Sequence, residues 1–192
     1  MCSQLAKAWS SSCNPRSPGE RVDSVSESES AETLMPPDEP SYRTVLGHFA
    51  TGVTIITAMD GNEPIGVSAN SFSSVSLDPP LVLFCASKDS STWPRIEAAG
   101  KFTVNILNEH QEDVCRVFAT KSADRFSRIG WRPSAGGSPV LHDTLAYIDC
   151  TIRDQHDAGD HLIVVGLVQE LGVLGDEGPL IFYRGGYGHF DS

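Results

Sequence analysis

Positive charge is scarce in this chain: 14 Lys and Arg stand against 25 Asp and Glu, for a formal net charge of −11 over 192 residues. Nucleic acid is bound through a basic stripe that displaces counterions from phosphates, and none is visible, which argues against a nucleic-acid partner. An anionic membrane surface is disfavoured for the same reason. No apolar run approaches the roughly 20 residues of a membrane-spanning helix, and the N-terminus lacks the apolar core of a secretory signal. The five cysteines, Cys2, Cys13, Cys85, Cys115 and Cys150, are odd in number and form no C-x-x-C. That pattern argues against a disulfide framework or a zinc site. Cys85 and Cys150 sit inside apolar runs, where a thiol acts as a small hydrophobe. The composition is that of a soluble, reduced, cytoplasmic protein.

Familiar catalytic motifs are also missing. There is no G-x-G-x-x-G after a strand, no G-K-[ST] and no G-x-S-x-G, which removes the Rossmann unit, the P-loop and the nucleophile elbow. The histidines are His48, His110, His142, His156, His161 and His189. Spacing alone makes no triad from them and the abundant serines. His156 and His161 lie among Asp154, Asp157 and Asp160. So many acids in one turn read as solvated, and no metal is expected.

What is present divides at residue 40. Residues 1–40 are rich in Ser, Glu and Pro, cannot bury enough apolar area to offset ordering entropy, and read as a disordered tail. The domain spans 41–192. In SYRTVLGHFATG, residues Tyr42, Val45, Leu46 and Phe49 have helical spacing, with Gly52 as the stop. Strands are expected at 52–58, 80–86, 101–107, 145–157, 161–174 (one long strand or a bent pair) and 179–186. Asp60-Gly61 marks a hairpin turn. Two further short helices are expected at STWPRIEAAG and EHQEDVCRVFAT, the second with Val114, Val117 and Phe118 on one face. Many strands in hairpin-like succession with three short helices indicate a mainly β fold, an antiparallel barrel with peripheral helices.

Two stretches carry chemistry. Ser87 to Thr92 runs from a buried strand into a helix start, where unpaired N–H groups and a partial positive charge favour a phosphate. Hydroxyls of Ser90, Ser91 and Thr92 add donors, and Lys88 or Arg95 adds charge; the alternative is an ordinary capped helix that needs one hydroxyl. The second stretch is GVSANSFSSVSLDPP, 66–80. In an extended segment, Ser68 and Asn70 share one direction and Val67, Ala69 and Ser71 the other. Side chains this small let a flat ligand approach the backbone, whose N–H and C=O groups read its polar edge. The alternative is a turn-rich strand edge whose serines cap turns.

Seven blocks then match one family in order: FATGVTIIT (49–57), GVSANSFSSVSLDPPLVLFC (66–85), SSTWPRI (90–96), FTVNIL (102–107), FATKSADRF (118–126), GDHLIVVGLV (159–168) and PLIFYRGGYG (179–188). From Tyr42 to Phe190 the sequence resembles the flavin reductase-like domain family, the small NAD(P)H:flavin oxidoreductases that serve two-component flavin-dependent monooxygenases. The segment 131–143 matches only loosely. The resemblance implies a split β-barrel with a few peripheral helices, a homodimer, bound FAD or FMN, and hydride delivered by NADH, with NADPH possible. It implies that Val67, Ser68, Ala69, Asn70, Ser71, Ser73 and Ser74 line the isoalloxazine and ribityl chain, with Thr51 from the first block beside them. Ser87, Ser90, Ser91, Thr92 and Trp93 would hold the flavin phosphate. Phe118 and Ala119, with the KSADRF segment that follows (121–126), would close over the flavin. Gly159, Asp160, His161 and the loop of Tyr183, Arg184, Gly186 and Tyr187 would face the nicotinamide nucleotide. His161 is the catalytic candidate, by hydrogen bond or stacking, the alternative being a histidine that orients its own turn. Arg125 and Arg184 are candidates for nucleotide phosphates.

On that view the missing acid–base pair is no obstacle, because the two cofactors hold the reactivity and the protein supplies position. The expected product is free reduced flavin for a separate monooxygenase component. A non-catalytic flavin- or haem-binding barrel is the alternative in another class, and an oxidase of the pyridoxamine-phosphate type a third.

Overall fold

A computed structural model describes residues 38–120 and 124–190. Residues 1–37 of the tail expected over 1–40, and 121–123 of the segment expected to close over the flavin, therefore lie outside the described residues. The boundary at residue 40 moves, because Asp38 accepts a hydrogen bond from Ser41 N at 2.9 Å and opens helix α1, Glu39–Leu46, with Pro40 in its first turn. The helix ends earlier than Gly52: Gly47 caps it, its N–H reaching Arg43 O at 2.9 Å.

The remaining elements follow in chain order: β1 (Thr51–Gly52), β2 (Thr54–Asp60), β3 (Glu63–Ala69), β4 (Ser73–Leu77), β5 (Pro80–Ser87), α2 (Trp93–Ala99), β6 (Lys101–Ile106), α3 (Glu112–Ala119), β7 (Trp131–Pro133), β8 (Pro139–Leu141), β9 (Ala146–Ala158), β10 (His161–Val173), β11 (Ile181–Tyr183) and β12 (Gly186–Gly188). Seven strands form one sheet in the order β3-β2-β6-β9-β10-β5-β4, antiparallel throughout. The mainly β expectation holds. The sheet is curled but not closed by pairing, since its two edges, β3 and β4, do not hydrogen-bond to each other. The expected run 161–174 is one strand with register shifts at Val165/Gly166 and Val168/Glu170, which bend it without breaking it.

The curl follows from where the apolar residues sit. The β-branched run of β2 is buried on both faces. Ile56 and Ala58 join Ile65, Val82, Phe84, Phe102, Val104, Cys150 and Val164 in one core, closed at the end by Trp93 and Ile96 of α2. Phe84 meets Trp93 and Phe102 edge-on at 5.7 and 5.2 Å. Gly166 admits Phe102: a Cβ there would lie 2.6 Å from the ring. Burial pushes the Cys150 thiol up to about 12, so it packs as a neutral apolar group. On the other face Val53, Ile55, Leu107, Cys115, Phe118, Leu141 and Leu180 form a second core beneath α3.

Two corrections concern strands. The segment 131–143, which matches the family only loosely and carries no strand signal, forms the β7–β8 hairpin over 131–141. Its three-residue strands are held from below: Asp149 accepts from Thr103 Oγ1 at 2.7 Å, Ser134 Oγ at 2.8 Å and Gly136 N at 3.1 Å. The run 179–186 is not one strand. It is β11 followed by a turn at Arg184 and Gly185, both at positive φ (50° and 80°), which folds β12 back on β11.

Candidate functional site

The end of β3 and the residues after it form the centre of the site. Pairing with β2 sets Val67, Ser68 and Ala69 opposite Ile56, Ile55 and Thr54, and Thr54 Oγ1 fixes Ala69 O at 2.7 Å. Ser71 Oγ accepts from Cys85 N at 2.9 Å, which ties the following bend to β5. Three cavities meet along this stretch, and Asn70 lines all of them. One, of about 220 Å³, runs from Val67–Ser71 to Ser87, Ser90, Trp93 and His161. A second, of about 210 Å³, lies between Ser68–Asn70 and the side chains of Cys115, Phe182 and Tyr187. A third, of about 910 Å³, is walled by α1, Thr51, Ser71, Ser73 and Arg184.

The expected phosphate cradle is altered in detail. Ser90 alone caps α2: its Oγ accepts from Thr92 N at 3.3 Å and Trp93 N at 3.2 Å. Lys88 and Arg95 do not add free charge. Lys88 Nζ donates to Asp157 Oδ2 at 2.7 Å and to Gly159 O at 2.6 Å, and Arg95 is held by Asp60 and Glu63, each at 2.6 Å. Ser91, Thr92 and Arg125 line a different cleft, of about 490 Å³, together with Arg95 and Phe126. Arg125 bridges three segments there, donating to Gly66 O at 2.5 Å, Thr92 Oγ1 at 3.1 Å and Thr120 O. Burial lowers its pKa from the ordinary arginine value. Ser90→Ala is expected to remove about 1 kcal/mol of helix capping and lower the thermal midpoint by roughly 2–4 °C. Ser91→Ala is expected to leave it in place, and differential scanning fluorimetry separates the two.

His161 sits at the start of β10, after a two-residue turn of Gly159 (φ 72°) and Asp160. Its Nδ1 lies 2.8 Å from Asp160 Oδ1, and the hydrogen bond from His161 holds the Asp160 carboxyl below its usual range. With Nδ1 donating, a neutral ring keeps Nε2 as an acceptor. Asp160 O in turn accepts from Lys88 N at 3.0 Å, so the turn is pinned to the end of β5.

Several expected residues do not line these cavities. Phe118 is 1% exposed and packs on Phe126 at 5.1 Å. It also covers Gly66, where a Cβ would lie 2.8 Å from its ring; its place is behind β3, in the core. Ala119 and Ser74 are exposed, and Gly159, Asp160 and Gly186 belong to turns or an outer strand. Tyr183 is exposed and meets the His48 ring edge-on at 6.3 Å. Conversely, Cys115, Phe182 and Val53 line the site without having been expected there. For Cys115 a signal existed: it is three residues before Phe118 on the same helix, so it shares that buried face.

The model of the "Flavin reductase like domain" matches residues 46–191, and the chain belongs to that family. It is 49% identical over 152 residues to the reductase subunit HsaB of a flavin-dependent monooxygenase from Mycobacterium tuberculosis, covering 78% of this chain and 81% of that one. Nitrilotriacetate monooxygenase component B from Mycobacterium thermoresistibile superposes with a TM-score of 0.78 at 48% identity, over 80% of this chain and 87% of that one. The NADH:FAD oxidoreductase SgcE6 of Streptomyces globisporus, solved with NAD and FAD fragments, gives 0.77 at 38%, over 84% and 98%. The enzyme class is NAD(P)H:flavin oxidoreductase.

Proposed function

We propose that this chain reduces FAD or FMN with NADH and releases the reduced flavin to a separate monooxygenase component. The observation that supports this most is the convergence on Val67–Ser71. From Val67 to Ser71, between Trp93 on one side and Tyr187 on the other, the largest side chains are a valine and an asparagine, so a flat ring fits against the backbone. A flavin held there would supply the hydride acceptor and a nicotinamide nucleotide the hydride. The chain's own share is placement. Backbone groups at Ser68–Ser71 address the ring edge, and Ser87 and Ser90 lie where polar tails extend toward α2. Ser91, Thr92 and Arg125 offer donors to the distal part of a dinucleotide. His161 Nε2 is the acceptor on the nicotinamide side.

NADH is favoured over NADPH by charge. In the cleft offered to the distal part of the dinucleotide, Arg95 is engaged by Asp60 and Glu63 and Arg125 by Gly66 O, Thr92 Oγ1 and Thr120 O, which leaves no uncommitted arginine pair for a 2′-phosphate. A homodimer is supported by α1, whose Tyr42, Val45 and Leu46, with the adjacent Phe49, are all exposed, an apolar face suited to a second copy. Among the described residues no helix is long and apolar enough to cross a membrane, and a reaction that draws on NADH suits the cytoplasm. Anaerobic mixing of the purified protein with each flavin and NADH is the test. Bleaching of the visible flavin band, faster with NADH than NADPH, is the expected result. Absence of bleaching with every combination overturns the proposal.

A further inference from the structure

We infer that Cys115 and Arg116 of α3 are positioning residues for Tyr187, and that through it they set the width of the cavity facing Ser68–Asn70. This rests on the reading above, in which that cavity receives one of the stacked rings. Tyr187 stands on β12, a three-residue strand at the edge of the sheet β1-β11-β12. Its backbone is laddered only to β11, on a strand that meets β1 over two residue pairs. A ring on so short an edge strand is not fixed by backbone alone.

Side chains supply what the ladder lacks. The Tyr187 hydroxyl lies 3.3 Å from Cys115 Sγ. The Arg116 guanidinium carbon lies 5.1 Å from the ring centroid. Arg116 is itself held on α3 by Glu112, through Nε at 2.8 Å and Nη2 at 2.5 Å. Phe182 meets the same ring edge-on at 5.3 Å. One turn of α3 thus grips the ring by its hydroxyl and its face. Across the cavity, Ser68 and Ala69 are fixed by β2 pairing. The gap between the two walls is therefore defined by α3 on one side and β2 on the other.

Burial raises the pKa of both partners, Tyr187 to about 12. The contact stays a neutral hydrogen bond across the working range of the enzyme.

The test is a double-mutant cycle on the full chain with FAD, reading NADH KM, kcat, flavin Kd by fluorescence titration, and thermal midpoint. Tyr187→Phe and Cys115→Ala are each expected to raise NADH KM about fivefold, the size of one lost hydrogen bond. Flavin Kd and kcat are expected to stay within about twofold. Cys115→Ser restores a hydroxyl partner and is expected to recover the wild-type KM. The double variant is expected to be no worse than Tyr187→Phe alone, since both remove one interaction. Additive effects, an unchanged KM in Cys115→Ala, or a change confined to the thermal midpoint each overturn the inference. A wild-type protein that fails to oxidise NADH with any flavin overturns the functional reading first, and this inference with it.

Discussion

Asn105→Ala is expected to lower the thermal midpoint by roughly 6–12 °C. Asn105 is fully buried on β6, with every polar atom engaged. Its Nδ2 donates to Thr57 Oγ1 at 3.0 Å, Ile55 O at 3.1 Å and Pro139 O at 3.4 Å, and its Oδ1 accepts from Leu141 N at 2.8 Å. Thr57 Oγ1 itself donates to Pro139 O at 2.5 Å. The group is a polar network joining β2, β6 and β8 in the buried interior. Alanine deletes these bonds and leaves the Leu141 N–H buried without an acceptor, for a total cost of about 3 kcal/mol. Asn105→Asp keeps an acceptor for Leu141 but removes the donors and adds a buried charge, so it is expected to be no better. A midpoint within about 2 °C of wild type for the alanine variant would show that the network contributes little.

That network also explains where the sequence was legible and where it was not. The β-branched strand expected at 52–58, the alternating strand at 145–157 and the capped helix at 93 carry their signals locally and formed, except that Gly52 belongs to β1 of the small sheet and β2 starts at Thr54. The β7–β8 hairpin carries none. Its strands are three residues long and begin or end on Pro133 and Pro139, and the donors and acceptors that hold it come from Asn105 and Asp149, outside the segment. The serine stretch is similar. Its residues have little intrinsic strand preference, and β3 exists because β2 pairs with it over seven positions.

The site followed the same rule. The family's blocks pointed to Val67–Ser71, Ser90 and His161, and the fold brings these around one cavity. Which cations remained free was invisible, because Lys88 finds Asp157 across 69 positions and Arg95 finds Asp60 across 35. The Cys115–Tyr187 contact spans 72 positions and had no local signature either.

His161→Ala is expected to raise the NADH KM about tenfold, equivalent to about 1.4 kcal/mol, while flavin Kd changes by less than about threefold. The ring stands at the mouth of the cavity formed with Val67–Ser71, Ser90 and Trp93, on a turn held by Lys88 from outside the histidine. Removing the imidazole therefore takes away a polar contact without loosening the hairpin, and the thermal midpoint is expected to stay within about 2 °C. Asp160→Ala gives the intermediate case. It frees Nδ1 from its 2.8 Å partner but leaves the ring in place, so orientation is lost and the group is not; a KM rise of about threefold is expected. Steady-state kinetics with flavin titration and scanning fluorimetry read all three quantities on the same preparations. If His161→Ala lowers the midpoint and leaves KM alone, the histidine serves only to start β10, and the nicotinamide is held elsewhere.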